Sequence, residues 1–235
     1  MNAYAKYAAL FLAAALITTA AVYATMRKPK TQDYAASGQV VGLPQPKTDG
    51  NTSIEKALME RRSTREYRSE PLSLQELSQL LWSAQGLNRK SGGRTAPSAG
   101  GTYPLQLYVV AGNVEGLAPG VYRYLPTQNS LEKVREGDYR TQLAECSLEQ
   151  EWVEKAALDI VFTADYSRTR EVYGERGERY VQMEVGHASQ NVYLQCVSLG
   201  CGTVAVGAFR DECVKTLLNT REGEEPLYVM PVGKT

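Results

Sequence analysis

The sequence predicts a domain in which α-helices and β-strands alternate around one long helix. Residues 105–111 and 158–164 are mostly apolar runs with the length of buried strands. Residues 179–199 instead repeat apolar side chains at helical spacing, and small residues near the middle of this helix would let another backbone approach closely. The long helix therefore lies in the core of a domain or of a dimer. Its apolar residues are Val181, Val185, Ala188, Val192, Cys196 and Leu199.

The remaining elements can be assigned in order from residue 52. Thr52-x-x-Glu55 and Ser73-x-x-Glu76 are capping boxes that open two helices. A charged stretch, residues 168–179, is predicted to be a surface loop or lid before the long helix. The other predicted helices span residues 139–146 and 211–218, and the other strands span residues 121–124, 131–134 and 227–232.

The amino-terminal region differs in composition from the rest of the chain. Residues 7–24 are apolar apart from two threonines and are flanked by basic residues, so residues 1–30 are predicted to be a membrane anchor or an uncleaved signal. The basic residues on the two sides are too evenly balanced to orient the segment across a membrane. Residues 31–51 carry glycine, proline and polar residues without a period, which predicts a flexible linker before a folded domain at residues 52–235.

The charge balance excludes a general attraction for nucleic acid. The chain has 26 basic and 26 acidic residues, so an anion must be held by a local cluster. Arg61, Arg62 and Arg65 lie with two hydroxyl residues in one such cluster, although a solvated basic turn would give the same pattern. Residues 92–104 are rich in small residues and would form either a loop that exposes backbone amides to a flat ligand or a plain flexible connection.

The sequence contains no complete motif for binding a metal or a dinucleotide. Glu184-x-x-His187 is half of a di-iron motif and lacks its second half, so the only histidine of the chain is predicted to be structural and no metal is expected. Gly200-x-Gly202 precedes a predicted strand, whereas the dinucleotide fingerprint follows one. The four cysteines have no metal-ligand spacing and do not settle the redox compartment.

Five motifs follow one another in order after Thr52. They are Arg61-Arg62-Ser63-x-Arg65-x-Tyr67, Pro97-Ser98-Ala99-Gly100-x-x-Tyr103-Pro104, Glu184-x-Gly186-His187-x-x-Gln190-Asn191, Leu199-Gly200-x-Gly202 with Val206-Gly207-Ala208-Phe209, and Pro231-Val232-Gly233-Lys234. Together they resemble the FMN-dependent nitroreductase superfamily, and within it the SagB-type branch that includes the azoline dehydrogenases. The resemblance covers nearly all residues after Thr52. It implies an α+β fold, with a mixed sheet flanked by helices and a long central helix, in an intertwined homodimer that binds FMN at the subunit interface.

The resemblance also implies roles for individual residues. Those implied to hold the phosphate, the ribityl chain and the pyrimidine edge of FMN are Arg61, Arg62, Ser63, Arg65 and Lys234. Those implied to line the isoalloxazine ring are Pro97, Ser98, Ala99 and Gly100 from the other subunit, together with Gln150, Val206 and Gly207, whose backbone N–H would lie near flavin N5.

The implied function is that of an FMN-dependent oxidoreductase. NAD(P)H or another donor would reduce the flavin, and a small electrophilic acceptor such as a quinone or nitroaromatic would reoxidise it. One alternative is oxidation of a peptide azoline ring with Tyr180 as acid/base; this chain has Arg179-Tyr180 where azoline dehydrogenases have a Lys-Tyr pair, and arginine stays protonated at neutral pH. A second alternative is a membrane-tethered flavin protein that carries electrons.

Overall fold

A computed structural model describes residues 38–89 and 92–235. A seven-stranded sheet with the order β1-β6-β5-β3-β7-β9-β8 forms its centre, and a parallel pair, β2 with β4, lies apart from it. The strands are β1 (Val40–Gly42), β2 (Leu72–Ser73), β3 (Leu105–Ala111), β4 (Val114–Glu115), β5 (Gly120–Leu125), β6 (Ser130–Glu136), β7 (Leu158–Asp165), β8 (Cys201–Thr203) and β9 (Glu224–Lys234).

Helices cover both faces of this sheet. They are α1 (Ile54–Glu60), α2 (Leu74–Gln85), α3 (Arg140–Cys146), α4 (Glu151–Lys155), α5 (Ser167–Tyr173), α6 (Arg176–Leu199) and α7 (Asp211–Leu218). On one face, α2 and α6 pack their apolar stripes against alternate residues of β3 and β7, such as Leu107 and Ile160. On the other face, α3, α4 and α7 pack against the intervening residues, such as Val161.

The predicted α+β class with a long helix against the sheet is confirmed. The sheet itself is more uniform than the predicted mixed sheet, because each neighbouring pair of its seven strands is antiparallel. Within the part of the chain that the structure describes, parallel pairing is limited to β2 with β4 and to one bridge between Ser63 and Thr203.

Residues 168–179, predicted as a loop or lid, are helical. They form most of α5 and the beginning of α6, and Gly174 between the two helices has a φ of 58°. A positive φ costs glycine little, so the chain can turn sharply there without a longer loop. The prediction of a loop was wrong because the charged residues are those of exposed helix faces.

The folded domain includes residues before Thr52. β1 lies inside the segment predicted as a linker, and it pairs with β6 in register Val41 to Leu131. Leu43 is buried in the core, and the Ser78 hydroxyl donates to the Pro44 carbonyl oxygen at 2.6 Å. A three-residue edge strand carries too short a pattern for sequence analysis to detect.

Residues 7–24, which carry the anchor prediction, lie outside the described residues. In residues 38–89 and 92–235 no helix combines the length and the apolar character needed to cross a membrane. The membrane anchor therefore stays a prediction from sequence.

The long helix α6 has one buried and one exposed side. Its buried residues include all five predicted apolar positions from Val181 to Cys196, and the helix ends at Gly200 in the left-handed conformation. Met183, Gly186 and His187 are exposed. His187 was predicted to be a hydrogen-bonded structural histidine; its side chain is exposed in the single chain, so that role stays a prediction.

The segment that contains the arginine cluster pairs with the ends of two strands. The Thr64 N–H donates to the Thr203 carbonyl oxygen at 2.9 Å, and the Arg68 N–H donates to the Lys234 carbonyl oxygen at 2.9 Å. The segment can approach the strands this closely because glycines lie opposite it. A Cβ atom added at Gly233, for example, would lie 2.7 Å from the Tyr67 Cβ atom. Residues 61–68, here called the arginine segment, are thus fixed beside β8 and β9.

A disulfide joins Cys146, the last residue of α3, to Cys213 in α7. Cys196 and Cys201 are buried free thiols. The sequence analysis did not foresee the Cys146–Cys213 pair, because 67 residues separate the two cysteines and only the packing of α3 beside α7 brings them together.

We expect Gly233→Ala to lower the free energy of unfolding by about 1–3 kcal/mol, because the added methyl group must displace Tyr67 from a packed position. Urea denaturation of residues 38–235 would measure the change. Gly42→Ala in β1 is the matched control, since no described atom lies within 4 Å of a Cβ there, and its effect should stay below about 0.5 kcal/mol. Equal stability of the two variants would contradict the close approach described here.

Candidate functional site

The arginine segment is anchored to α6 by an aromatic residue. Arg61 ends α1, and its guanidinium carbon lies 5.3 Å from the ring centre of Tyr193. The Tyr193 hydroxyl accepts a hydrogen bond from the Ala205 N–H at 2.8 Å and lies 3.1 Å from Ser63 Oγ. Arg62 is exposed beside them. Two predicted FMN contacts, Arg61 and Ser63, therefore both lie against the Tyr193 side chain.

A second aromatic contact joins the arginine segment to the predicted flavin ring residues. The Arg65 guanidinium lies 5.3 Å from the ring centre of Trp152. Two residues before that tryptophan, the Gln150 side chain donates to the Ala208 carbonyl oxygen at 2.9 Å. The structure therefore brings Arg65 and Gln150 to the same region as Gly207, which is exposed.

Val206 occupies this region in a different way from Gly207. Its backbone N–H and carbonyl are both paired with Val229, at 2.8 and 2.9 Å, and its side chain is buried. The pairing fixes the start of the loop that carries Gly207. Val206 thus positions its neighbour, and its own backbone groups are used within the sheet.

Lys234 reaches the arginine segment, but its ammonium group is paired. It forms an ion pair with Glu76, the residue that also completes the capping box of α2. Partial burial raises the pKa of Glu76, but hydrogen bonds from Lys234 and Ser73 outweigh it and hold the pKa below its usual value. The predicted phosphate contact from Lys234 would therefore require Glu76 to share or release the ammonium group.

The loop of small residues lies elsewhere, against α5 and the first half of α6. The hydroxyl oxygens of Thr102 and Thr169 are 2.9 Å apart, and a Cβ atom at Gly100 would lie 2.8 Å from the Tyr173 hydroxyl. Burial raises the pKa of the Glu184 carboxyl group to about 7, and the nearby Ser98 hydroxyl partly offsets that shift. The four predicted ring contacts in this loop are exposed or half-buried: Pro97, Ser98, Ala99 and Gly100.

Tyr180 lies on the same side of the domain as this loop. Its ring meets the Tyr173 ring edge-on, with the centres 5.0 Å apart, and its hydroxyl accepts a hydrogen bond from Arg176 Nε at 3.1 Å. Because Tyr173 also lies against Gly100, the Tyr173 side chain separates Tyr180 from the loop.

The two groups of predicted site residues contact α6 at different points. The arginine segment contacts α6 at Tyr193, whereas the loop of small residues contacts it at Glu184. These positions are nine residues apart, which corresponds to about 14 Å along a helix. The two groups therefore face different parts of α6.

Sequence analysis missed three aromatic residues that shape these regions: Trp152, Tyr173 and Tyr193. Tyr193 lies two residues after Asn191, where one of the five motifs ends. Its orientation toward Ser63 depends on how α6 packs against the arginine segment. Trp152 and Tyr173 lie in two short helices, α4 and α5, that were not predicted.

Known proteins are similar to this chain in sequence and in fold. The profile of the nitroreductase family matches residues 58–234. A nitroreductase-like protein of Methanocaldococcus jannaschii, MJ1384, is 46% identical over 181 residues, which cover 77% of this chain and 90% of that protein. The NADPH-flavin oxidoreductase of Vibrio harveyi is 29% identical over 112 residues, covering 44% of this chain and 47% of that protein.

A solved structure agrees with the fold. The crystal structure of a nitroreductase-like protein from Ralstonia eutropha JMP134 superposes with a TM-score of 0.73 at 34% sequence identity, covering 86% of this chain and 92% of that one. Since the family profile extends over most of the chain and includes both groups of site residues, the chain belongs to the nitroreductase family and is an oxidoreductase.

Proposed function

We propose that this protein is an FMN-dependent oxidoreductase that passes electrons from NAD(P)H, or from another donor, to a small electrophilic acceptor of the quinone or nitroaromatic type. The observation that supports it best is the arginine segment, where Arg61, Ser63 and Arg65 are held in place beside the exposed Gly207 loop. The V. harveyi relative, named for both NADPH and a flavin, supports the same cofactor chemistry.

The donors in this segment fit the phosphate of FMN. A phosphate monoester carries between one and two negative charges near neutral pH and accepts several hydrogen bonds. Arg61 and Arg65 each lie over an aromatic ring, which restricts the guanidinium before a ligand arrives and lowers the entropy cost of binding. Charge-assisted hydrogen bonds contribute about 1.5–3 kcal/mol each, so two arginines are enough to matter in a chain without net charge.

The polypeptide supplies orientation without a titrating group at the Gly207 loop. Bound FMN would supply the electron transfer itself, accepting a hydride from the donor and releasing electrons to the acceptor. The loop is fixed at one end by the pairing of Val206 with Val229 and in its middle by Gln150, which holds the Ala208 carbonyl. Gly207 has no side chain, so a planar ring can approach its backbone N–H closely.

A second copy of the chain would complete the site. Pro97 to Gly100 contact α6 about 14 Å along the helix from the point where the arginine segment does, and we place them against a flavin bound at the arginine segment of the partner subunit. The exposed side of α6 favours such a homodimer: Met183 is 46% exposed, and a Cβ atom at Gly186 would meet no described atom of another segment within 4 Å. Exposed apolar residues of α1, including Leu58 and Met59, extend the same argument.

We expect Gly186→Arg to yield folded monomers that lose flavin. An arginine fits the single chain there and favours a helix more than glycine does, but it would prevent close packing of a second α6. Light scattering would report the mass and visible absorbance would report bound flavin. Gln142→Arg, at an exposed position of α3, is the control and should stay dimeric and yellow. A Gly186→Arg dimer with full flavin content would contradict the composite site.

Removing either anchored arginine should weaken FMN much more than riboflavin. For Arg61→Gln and for Arg65→Gln we expect a loss of about ten-fold or more in FMN affinity, because each removes a charge-assisted hydrogen bond to the phosphate. Fluorescence titration of the cofactor-free protein would measure both ligands. Arg89→Gln, an exposed arginine outside the arginine segment, should bind like the wild type. If the native protein took up no flavin even in excess FMN, the proposed function would fail.

Azoline oxidation remains the alternative, because Tyr180 lies beside Tyr173 on the side of the 97–100 loop. In the function proposed above, NAD(P)H bleaches the flavin without oxygen, and Tyr180→Phe keeps the wild-type rate of bleaching and of acceptor reduction. Stopped-flow absorbance would measure both rates. A loss of about a hundred-fold or more on removing one hydroxyl would instead make Tyr180 an acid/base residue. Tightly bound FMN with no turnover by any donor would favour the electron carrier.

A further inference from the structure

The Cys146–Cys213 disulfide adjoins the Gly207 loop, residues 206–210. Cys213 lies in α7, which begins directly after this loop, and Cys146 is the last residue of α3. The Arg210 N–H donates to the Cys146 carbonyl oxygen at 2.9 Å, and Arg210 Nη2 donates to the Glu145 carbonyl oxygen at 2.8 Å. The end of the loop is therefore tied to the end of α3 by two hydrogen bonds and, three residues later, by a covalent bond.

The turn that follows α3 carries a second support of the loop. Leu148 and Glu149 have φ values of 59° and 60°, a conformation that residues with bulky side chains rarely adopt. Gln150, at the end of this turn, donates from its side-chain nitrogen to the Ser147 carbonyl oxygen at 2.6 Å and to the Ala208 carbonyl oxygen at 2.9 Å. Backbone strain persists only where neighbouring contacts hold it, and the disulfide fixes the helix end from which this turn starts.

The disulfide is open to solvent on one side. Cys146 is 3% exposed, whereas Cys213 is half-buried. Exchange begins when a thiolate attacks an accessible sulfur, so a reductant meets this bond at Cys213. Cys196 and Cys201 are buried free thiols. Among the four cysteines of the chain, the disulfide pair is therefore the one that a reductant can reach.

We propose that the Cys146–Cys213 disulfide braces the Gly207 loop in the conformation that receives the flavin ring, and that it is a site of reversible reduction by dithiols, which weakens flavin binding. This rests on the proposed flavin-binding function and deepens it. Without the covalent bond, only hydrogen bonds and packing keep the end of α3 beside α7, so the strained turn can relax. Gln150 then moves with the turn, and the Ala208 carbonyl loses its support.

The reduction balances as an exchange of two electrons and two protons. One thiolate of the dithiol attacks the Cys213 sulfur, and Cys146 leaves as a thiolate that takes up a proton. The second thiol of the reductant then displaces Cys213 and closes the disulfide of the reductant. Each cysteine gains one of the two protons that the dithiol loses.

FMN titration of the oxidised and reduced protein tests the proposal. Protein reduced with dithiothreitol and transferred to oxygen-free buffer without it should bind FMN about five-fold more weakly, a loss comparable with one hydrogen bond. Reoxidation with glutathione disulfide should restore the affinity. Circular dichroism would show that both forms are folded, and in a folded protein a change of overall stability alone leaves the affinity unchanged. Equal affinities of the two folded forms would overturn the proposal.

Two cysteine variants separate the disulfide from the buried thiols. Cys146→Ala combined with Cys213→Ala should bind FMN like the reduced wild type, with or without dithiothreitol. Cys196→Ala combined with Cys201→Ala keeps the disulfide and is the matched control, so it should respond to reduction as the wild type does. A response that persists in the first variant or disappears in the second would overturn the proposal.

Amide hydrogen exchange in the flavin-free protein measures the brace without a ligand. The Arg210 N–H, bonded to Cys146, and the Glu149 N–H, which donates to the Ala144 carbonyl oxygen at 3.0 Å, should exchange about ten-fold faster after reduction. The Thr64 N–H, paired with β8, is the reference and should keep its rate. Equal rates for Arg210 and Glu149 in the two forms would contradict the brace.

Gln150→Leu tests the same support with the disulfide intact, which matters if the reduced protein does not stay folded. This variant removes the hydrogen bond to Ala208 and should weaken FMN binding about five-fold. An unchanged affinity would overturn the proposal. If the oxidised wild type bound no flavin, the proposed function would fail, and the exchange rates would still decide whether the disulfide holds the loop.

Discussion

The backbone pairing of the arginine segment with the ends of β8 and β9 is the contact on which the site depends. Thr64 and Arg68 donate to carbonyl oxygens of Thr203 and Lys234, so a surface segment rich in positive charge becomes part of the sheet. Three arginines close together repel one another, and a free loop would spread them apart. The pairing keeps their backbone in place, and the rings of Tyr193 and Trp152 then direct two of the side chains.

Sequence patterns predicted the buried elements well and the exposed ones poorly. The run 105–111 was predicted with the bounds that β3 shows, because six of its seven residues are apolar, as expected of a strand buried on both faces. The stretch 168–179 was misread, because α5 and the start of α6 present mostly charged residues. β1 was missed for a related reason: an edge strand of three residues gains its stability from β6, and three residues cannot display a period.

The motifs identified both groups of site residues but not their separation. Sequence order alone could not show that the 97–100 loop rests at Glu184 and the arginine segment at Tyr193, because that depends on how each packs along α6. Nor could it show that Glu76, which reads as a helix cap, also pairs with Lys234. The burial of Glu184 was equally hard to predict, because the position of a carboxyl group within a helical sequence does not show whether it is buried or exposed.

The Cys146–Cys213 cross-link turns the middle of the chain into a closed ring. The ring contains α4, β7, α5, α6 and β8, and therefore the α6 residues that meet the two groups of site residues. By the chain-entropy model, closing 67 residues disfavours the unfolded state by about 4 kcal/mol. A protease that cuts once inside the ring, for example at the exposed Gly174 turn, leaves both products attached by sulfur. Such a nick is invisible on a denaturing gel until thiol is added.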